Sequence, residues 1–292
     1  MRRRIQCTNN LKQIGLALHN YESALGMLPP AGCFRVGEAM TSYSVQARLL
    51  PYMEQTNLHN ALNYEIPFSV QGTVAQMRVS TLLCPSKARD RPKVGPTITH
   101  YPLNYGISIG TWLVWDPNTR QWGDGAFGIN ASNRLADITD GLSNTLSFAE
   151  VKAYQPALHD GGQPTGPGVP PPSTPNELAA YGGTSSLDWS HTEWVSGHIL
   201  HSGMTTGFPP NTVIRYADSG TPYDIDFTAS RLGTSTTRQT YVVVTSRSYH
   251  TGGLNALMLD GSVRFVKNSV SRAAWRGLGT RSGGEIVGSD NF

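Results

Sequence analysis

The chain has 292 residues, a formal net charge of +3 and only 15% charged side chains. That balance excludes a basic nucleic-acid groove and a polybasic membrane patch, and no segment approaches the roughly 18 consecutive apolar residues that span a bilayer. With 31 glycines and 19 prolines, the composition predicts many turns, long surface loops and short strands, and the length permits one large domain or two small ones.

The first element is a helix. Leu11, Ile14, Leu18, Tyr21 and Leu25 recur at spacings of three and four, which predicts one continuous helix from Gln6 to about Ala24 with an apolar stripe. Gly15 costs it about 1 kcal/mol against alanine, so packing must hold it. Gly26, Pro29 and Pro30 end it. A helix that starts without a cap reads either as an ordinary first helix or as the tail of a longer one. The stretch from Phe34 to Leu50 predicts a loop and then a short helix through Val45, Leu49, Leu50 and Met53, interrupted at Pro51. Leu58, Leu62 and Tyr64 suggest a partial turn, and residues 70–83 a helix running into a short strand before Cys84-Pro85.

Tyr105 to Trp115 is rich in β-prone residues and predicts a strand. The following loop, Asp116 to Gly125, offers acids and glycines but no EF-hand spacing. In Asp137-Ile138-Thr139-Asp140-Gly141-Leu142-Ser143-Asn144-Thr145, Asp140-Gly141 predicts a turn, and Ser143, Asn144 or Thr145 a side-chain bond to the local backbone. A strand from Leu146 to Val151 should follow. Asp137 and Asp140 are three apart and could share a cation, although backbone capping suffices to explain them. Residues 156–180 are Gly/Pro-rich without a collagen period and read as an exposed loop.

His191, Glu193, His198 and His201 form the densest group of potential metal ligands. They lack a His-Glu-x-x-His pattern and a close cysteine complement, and satisfied polar groups in a packed loop explain them better than a zinc enzyme. Ser143 and Ser248 lie in no Gly-x-Ser-x-Gly elbow, and neither a Rossmann fingerprint nor a Walker loop occurs. No catalytic, cofactor-binding or metal-binding residue is therefore expected. Tyr241 to Arg247 predicts a strand. His250 to Phe265 predicts a hairpin, with His250 and Gly253 at its entry, Asn255 on its first strand and Asp260-Gly261 as a two-residue type I′ turn. The two should lie in one antiparallel sheet, buried against the N-terminal helix. A short helix or turn around Trp275 closes the chain.

The two ends together resemble a prepilin-type family abundant in planctomycetes, with type II pseudopilin-like members, also labelled bacterial solute-binding family 10. The likeness rests on Cys7-Thr8-Asn9-Asn10-Leu11-Lys12-Gln13-Ile14-Gly15-Leu16-Ala17-Leu18-His19-Asn20-Tyr21, on the Asp137 to Thr145 signature and on His250, Asp260 and Gly261 in a His-x9-Asp-Gly pattern. Cys84-Pro85-Ser86, Gly203-Met204-Thr205-Thr206 and Pro209-Pro210-Asn211-Thr212 also fit. Each motif is weak alone, but their order covers essentially the whole chain.

The resemblance implies an α+β head, with a pilin-like helix packed on an antiparallel sheet in one domain over residues 1–292. It implies structural roles for Asp137, Asp140, Gly141, Asn144, His250, Gly253, Asn255, Asp260 and Gly261. It also implies a non-enzymatic, cofactor-free component of the cell envelope that assembles with other pseudopilin-like subunits or secretion components. The family's cleavage signal and apolar anchor are absent before Arg2. Met1 then reads as an added start, and the protein as anchored through an N-terminal helix missing from this sequence. Cys7, Cys33 and Cys84 match no zinc knuckle; the resemblance covers Cys7 and Cys84 and favours their pairing, with three free buried thiols as the alternative. A second function stays open: an extracytoplasmic solute- or carbohydrate-binding protein, with Trp112, Trp115, Trp122, Trp189 and Trp194 available to line a cleft for sugar faces. A metal-dependent hydrolase is a remote third.

Overall fold

The computed structural model describes residues 2–35, 42–87 and 89–285. Met1, read above as an added start, lies outside them, as do residues 36–41 of the loop after Phe34. The fold is α+β: a long N-terminal helix, several mostly antiparallel sheets and a short C-terminal helix.

Helix α1 spans Arg2–Leu25. Its stripe behaves as the periodicity predicts, with Cys7, Leu11, Ile14, Ala17 and Leu18 buried. Tyr21 is half-buried, edge-on to Tyr52. Leu25 is the exception and faces solvent. The helix lies across the hairpin formed by Gly253–Met258 and Val263–Lys267. Gly15 explains how closely: a Cβ there would sit 3.0 Å from Leu257 Cδ1. This placement corrects the expected anchoring. The N-terminal helix is present and folded onto the protein's own sheet, and no helix among the described residues is long and apolar enough to cross a membrane.

Two mixed sheets carry the core. The first has five strands in the order Val263–Lys267, Gly253–Met258, Leu146–Glu150, Tyr105–Ser108, Gly203–Met204. Its last pair is parallel. The second has six, in the order Gln121–Trp122, Leu113–Asp116, Thr240–Val243, Asp226–Thr228, Gln155–His159, Thr184–Ser190. Alternation along these strands supplies both faces of the second sheet. Ala157 and Val242 join the main core, whereas Leu158, Tyr241 and Val243 join a smaller one with Trp112, Leu178 and Phe227.

Several elements differ from the sequence reading for physical reasons. The strand expected from Tyr105 to Trp115 breaks at Gly110, whose φ of +100° turns the chain from the first sheet into the second. A Cβ there would fall 2.0 Å from Asp124 Oδ1, so only glycine fits. Thr240–Val243 consequently lies in the second sheet, apart from the C-terminal hairpin. Residues 70–83 form short helical turns without a strand before Cys84.

Residues 156–180, expected as an exposed loop, begin with most of strand Gln155–His159 and end on helix Glu177–Ala180. They are pinned between these elements. Gly166 O accepts from Tyr241 Oη at 2.8 Å, Pro172 O accepts from Arg272, and Leu178 is fully buried. Helix Arg272–Gly279 closes the fold, capped by Ser271 Oγ accepting from Ala274 N at 3.1 Å, with Trp275 and Leu278 buried.

Candidate functional site

The C-terminal signature and the N-terminal helix meet at one buried node. The turn before Gly253–Met258 carries His250, and the strand Leu146–Glu150 delivers Glu150 at its end. His250 Nε2 lies 3.0 Å from Glu150 Oε1. Because a carboxylate only accepts, this contact places the imidazole proton on Nε2. Asn255 holds the same carboxylate twice, through its backbone N to Oε2 at 2.7 Å and through Nδ2 to Oε1 at 3.1 Å. Thr8 Oγ1, on α1, reaches Asn255 Oδ1 at 3.4 Å. Cys7 and Cys84 are joined as a disulfide against this group, with Cys84 Sγ 3.8 Å from His250 Nε2. Cys33 is exposed and outside the bridge. Among the described residues, one ligand atom from each of Cys7, Cys84, Glu150 and His250 lies within 4.8 Å of the others, close enough for the four to share a metal were the bridge open. Glu150 escaped sequence reasoning because it ends a fully buried, mostly apolar strand and matches no spacing to His250.

The remaining signature residues shape backbone. Gly253 has no room for a side chain, since a Cβ would meet Val266 O at 2.1 Å. The Asp260-Gly261 turn differs from the type I′ form, which needs positive φ at both residues. Gly261 has a φ of +84°, but Asp260 is not in that region. Gly261 N donates to Met258 O at 3.1 Å, so Leu259 and Asp260 are the central residues and Gly261 the left-handed residue that follows. Asp260 Oδ1 accepts from Ser262 N at 2.8 Å.

Asp137 and Asp140 do not converge. Asp137 pairs with Arg134 Nη2 at 2.9 Å, and the guanidinium holds its carboxyl below the usual range. Asp140 accepts from Gly283 N at 2.7 Å and Gly284 N at 2.9 Å. Gly141 takes a φ of +90° and Asn144 Nδ2 reaches back to Asp140 O at 3.4 Å.

The histidine-rich segment folds inward. Glu193 Oε1 lies 3.6 Å from His201 Nε2 and 3.8 Å from His100 Nε2, a partner that no motif or spacing in the sequence pointed to. Burial raises Glu193 to about 7 and pushes His100 down to about 4 and His201 down as well. Low dielectric therefore favours the uncharged forms over an ion pair. His191 faces Asp226 at 4.0 Å and stays apart from Glu193's group. Asp226 is fully buried and bound by Arg247, which also takes Asp224 Oδ1 at 2.9 Å.

Of the five tryptophans considered for a cleft, Trp112 and Trp122 line one together, of about 360 Å³. Asp124 and Arg281 supply its charged groups, and Val169 and Pro171 of the Gly/Pro-rich stretch one wall. Arg281 is fixed over the Trp122 ring at 4.0 Å and donates through Nη1 to Gly123 O at 2.6 Å. Trp112 stacks on Tyr241 at 5.1 Å, and its buried Nε1 has no hydrogen-bond partner. Trp194 is instead core, donating to Met77 O at 3.0 Å, and Trp189 stacks on His159 at 4.9 Å.

No curated protein and no solved structure matches this chain. A family model does, over residues 2–273, under the description SBP_bac_10, "Protein of unknown function (DUF1559)". The match takes in both cysteines of the bridge, Glu150, the histidine-rich segment and the whole His-x9-Asp-Gly hairpin, and it says nothing specific of prepilins or of a lineage. The chain belongs to the SBP_bac_10 family.

Proposed function

We propose that this chain is a solute-binding protein of the cell envelope, and that its ligand is a carbohydrate held in the Trp112–Trp122 cleft without turnover. The observation that carries this reading is the make-up of that cleft: two indoles, a carboxylate and a guanidinium around about 360 Å³. The volume lies in the range of small-molecule sites, where apolar walls and a few fixed polar groups set orientation. The part of the Trp122 ring left uncovered by Arg281 and the exposed edge of Trp112 suit the C–H groups of a sugar, and Asp124 and Arg281 suit its hydroxyls. The family's solute-binding label supports the class, and the Cys7–Cys84 bridge suits an oxidising compartment. The filament-subunit reading rests on the sequence resemblance alone.

Titration of the protein with neutral and acidic mono- and disaccharides, followed by tryptophan fluorescence and calorimetry, tests the proposal. Saturable binding that Trp122→Ala abolishes and Trp122→Phe retains in part is expected. Absence of binding across the panel, or equal binding by Trp122→Ala, overturns it. Ligand recovered chemically unchanged after long incubation, with and without divalent metals, is the expected result for a binder; reproducible turnover would assign an enzyme.

A further inference from the structure

The buried node under the signature has a second property, independent of the tryptophan cleft. Its four candidate ligands come from four separate segments, namely α1, the loop at Cys84-Pro85, the end of Leu146–Glu150 and the turn at His250. Cys7, Cys84 and Glu150 are buried and His250 nearly so. Zinc held tetrahedrally, with Zn–S near 2.3 Å and Zn–N or Zn–O near 2.0–2.1 Å, would set sulfur and nitrogen about 3.6 Å apart and nitrogen and oxygen about 3.3 Å apart. The node has 3.8 Å from Cys84 Sγ to His250 Nε2 and 3.0 Å from His250 Nε2 to Glu150 Oε1. An outer layer of the kind metal sites need is in place, because Asn255 fixes both oxygens of Glu150 and is itself touched by Thr8.

We propose that the disulfide and a thiophilic divalent ion such as zinc are alternative occupants of this node, so that the redox state of Cys7 and Cys84 decides whether the protein binds metal. The exchange balances with a dithiol as reductant. The dithiol gives two electrons and two protons to the Sγ–Sγ bond, leaving two thiols in the protein and a disulfide in the reductant. Zinc then displaces one proton from each thiol and takes Cys7 Sγ, Cys84 Sγ, His250 Nε2 and Glu150 Oε1. The imidazole proton on Nε2 moves to Nδ1 when that nitrogen turns to the metal. A small-molecule disulfide as oxidant reverses the sequence: it takes two electrons from the two thiolates and two protons from solvent to become a dithiol, the Sγ–Sγ bond re-forms, and the ion is released. In the oxidised state the bridge ties the two cysteine segments and the His250–Glu150 hydrogen bond the other two; in the metal-bound state coordination ties all four.

The test uses the full chain with Cys33→Ser, which removes the exposed thiol. It is reduced with a dithiol, freed of reductant without air, and titrated with zinc against a chromophoric chelator and with cobalt(II) for its spectrum. The reduced protein is expected to bind one equivalent, with thiolate-to-cobalt charge transfer and tetrahedral d–d bands, and the oxidised protein none. His250→Gln should weaken binding at least about tenfold. Circular dichroism on each sample covers the case in which the reduced, metal-free chain unfolds: zinc should then restore the native spectrum, and should fail to do so in His250→Gln. Equal affinity in His250→Gln would mean that zinc meets thiols without the built site, and equal binding by the oxidised chain would mean that the bridge does not control it. Either result, or no binding by the reduced chain, overturns the proposal.

Discussion

Asn255 holds Glu150 by both carboxylate oxygens, at 2.7 Å from its backbone N and 3.1 Å from Nδ2. The pair fastens the strand Gly253–Met258 to the end of its neighbour Leu146–Glu150. Removing the amide by Asn255→Leu strips Glu150 Oε1 of one buried donor and should cost about 1–3 kcal/mol. Asn255→Asp sets two carboxylates together and should cost more. Reversible urea unfolding of the two variants measures both.

Arg247 and Asp226 form a second buried link, with Asp226 fully inaccessible. Asp226→Asn alone should destabilise by about 1–3 kcal/mol, because it weakens one of the two carboxylate partners of a buried guanidinium that Asp224 still holds. Combining it with Arg247→Met removes that half-paired charge, and the double variant should recover part of the loss. A double-mutant cycle by denaturant melts checks the coupling.

The histidine-rich interior predicts two opposed pH responses. His100 is lowered from 6.5 to about 4 by burial, so its contribution is complete above pH 6.5 and is lost as pH falls towards 4. Glu193 is raised from 4.5 to about 7 by burial, so its contribution is complete below pH 4.5 and is lost as pH rises through about 7. Glu193→Gln should therefore gain about 2–3 kcal/mol on the native chain between pH 4.5 and pH 8, with the advantage at the alkaline end. His100→Gln should gain on it as pH falls from 6.5 to 4. Urea midpoints across that range read out both slopes.

At the hairpin turn, Gly261 has a φ of +84°, and a built Cβ would make only ordinary contact with His19, 3.5 Å from its Nε2. Its cost is one of backbone, so Gly261→Val should destabilise clearly more than Gly261→Asn. Equal unfolding midpoints for the two would refute the assignment. At Gly110 the order should differ, because a Cβ there also strikes Asp124 and the backbone of Gly125. Asparagine should be no better tolerated than valine.

Much of the frame was legible where a local period decides the structure. The stripe of Leu11, Ile14 and Leu18 gave α1 and its buried face, and the Asp260-Gly261 pair gave the hairpin, though not its turn class. The Gly110 break was not legible, since a β-rich run carries no sign of which sheet each half joins. Nor was the packing of residues 156–180, whose Gly/Pro content hides the tertiary contacts of Leu178 and of the Pro172 carbonyl. His250 and Asn255 both bond Glu150, which is 100 residues from His250, beyond any spacing rule. Trp112 and Trp122 were candidates for a cleft together with three other tryptophans, and only the tertiary approach of Val169, Pro171 and Arg281 to them singles them out.

Gly15 against Leu257 has a consequence for how the protein is made. The first helix meets Leu50–Met53 and Ser80–Leu82 early, but the rest of its cover, the hairpin Gly253–Lys267, emerges much later. Until then part of its apolar stripe is without its native partner, and a contact of such sequence separation slows folding and leaves sticky surface exposed. Cys84 arrives much sooner than that hairpin, only 77 residues after Cys7. A bond made at that stage would hold the waiting helix beside the segment it will share the core with, long before the hairpin reaches it.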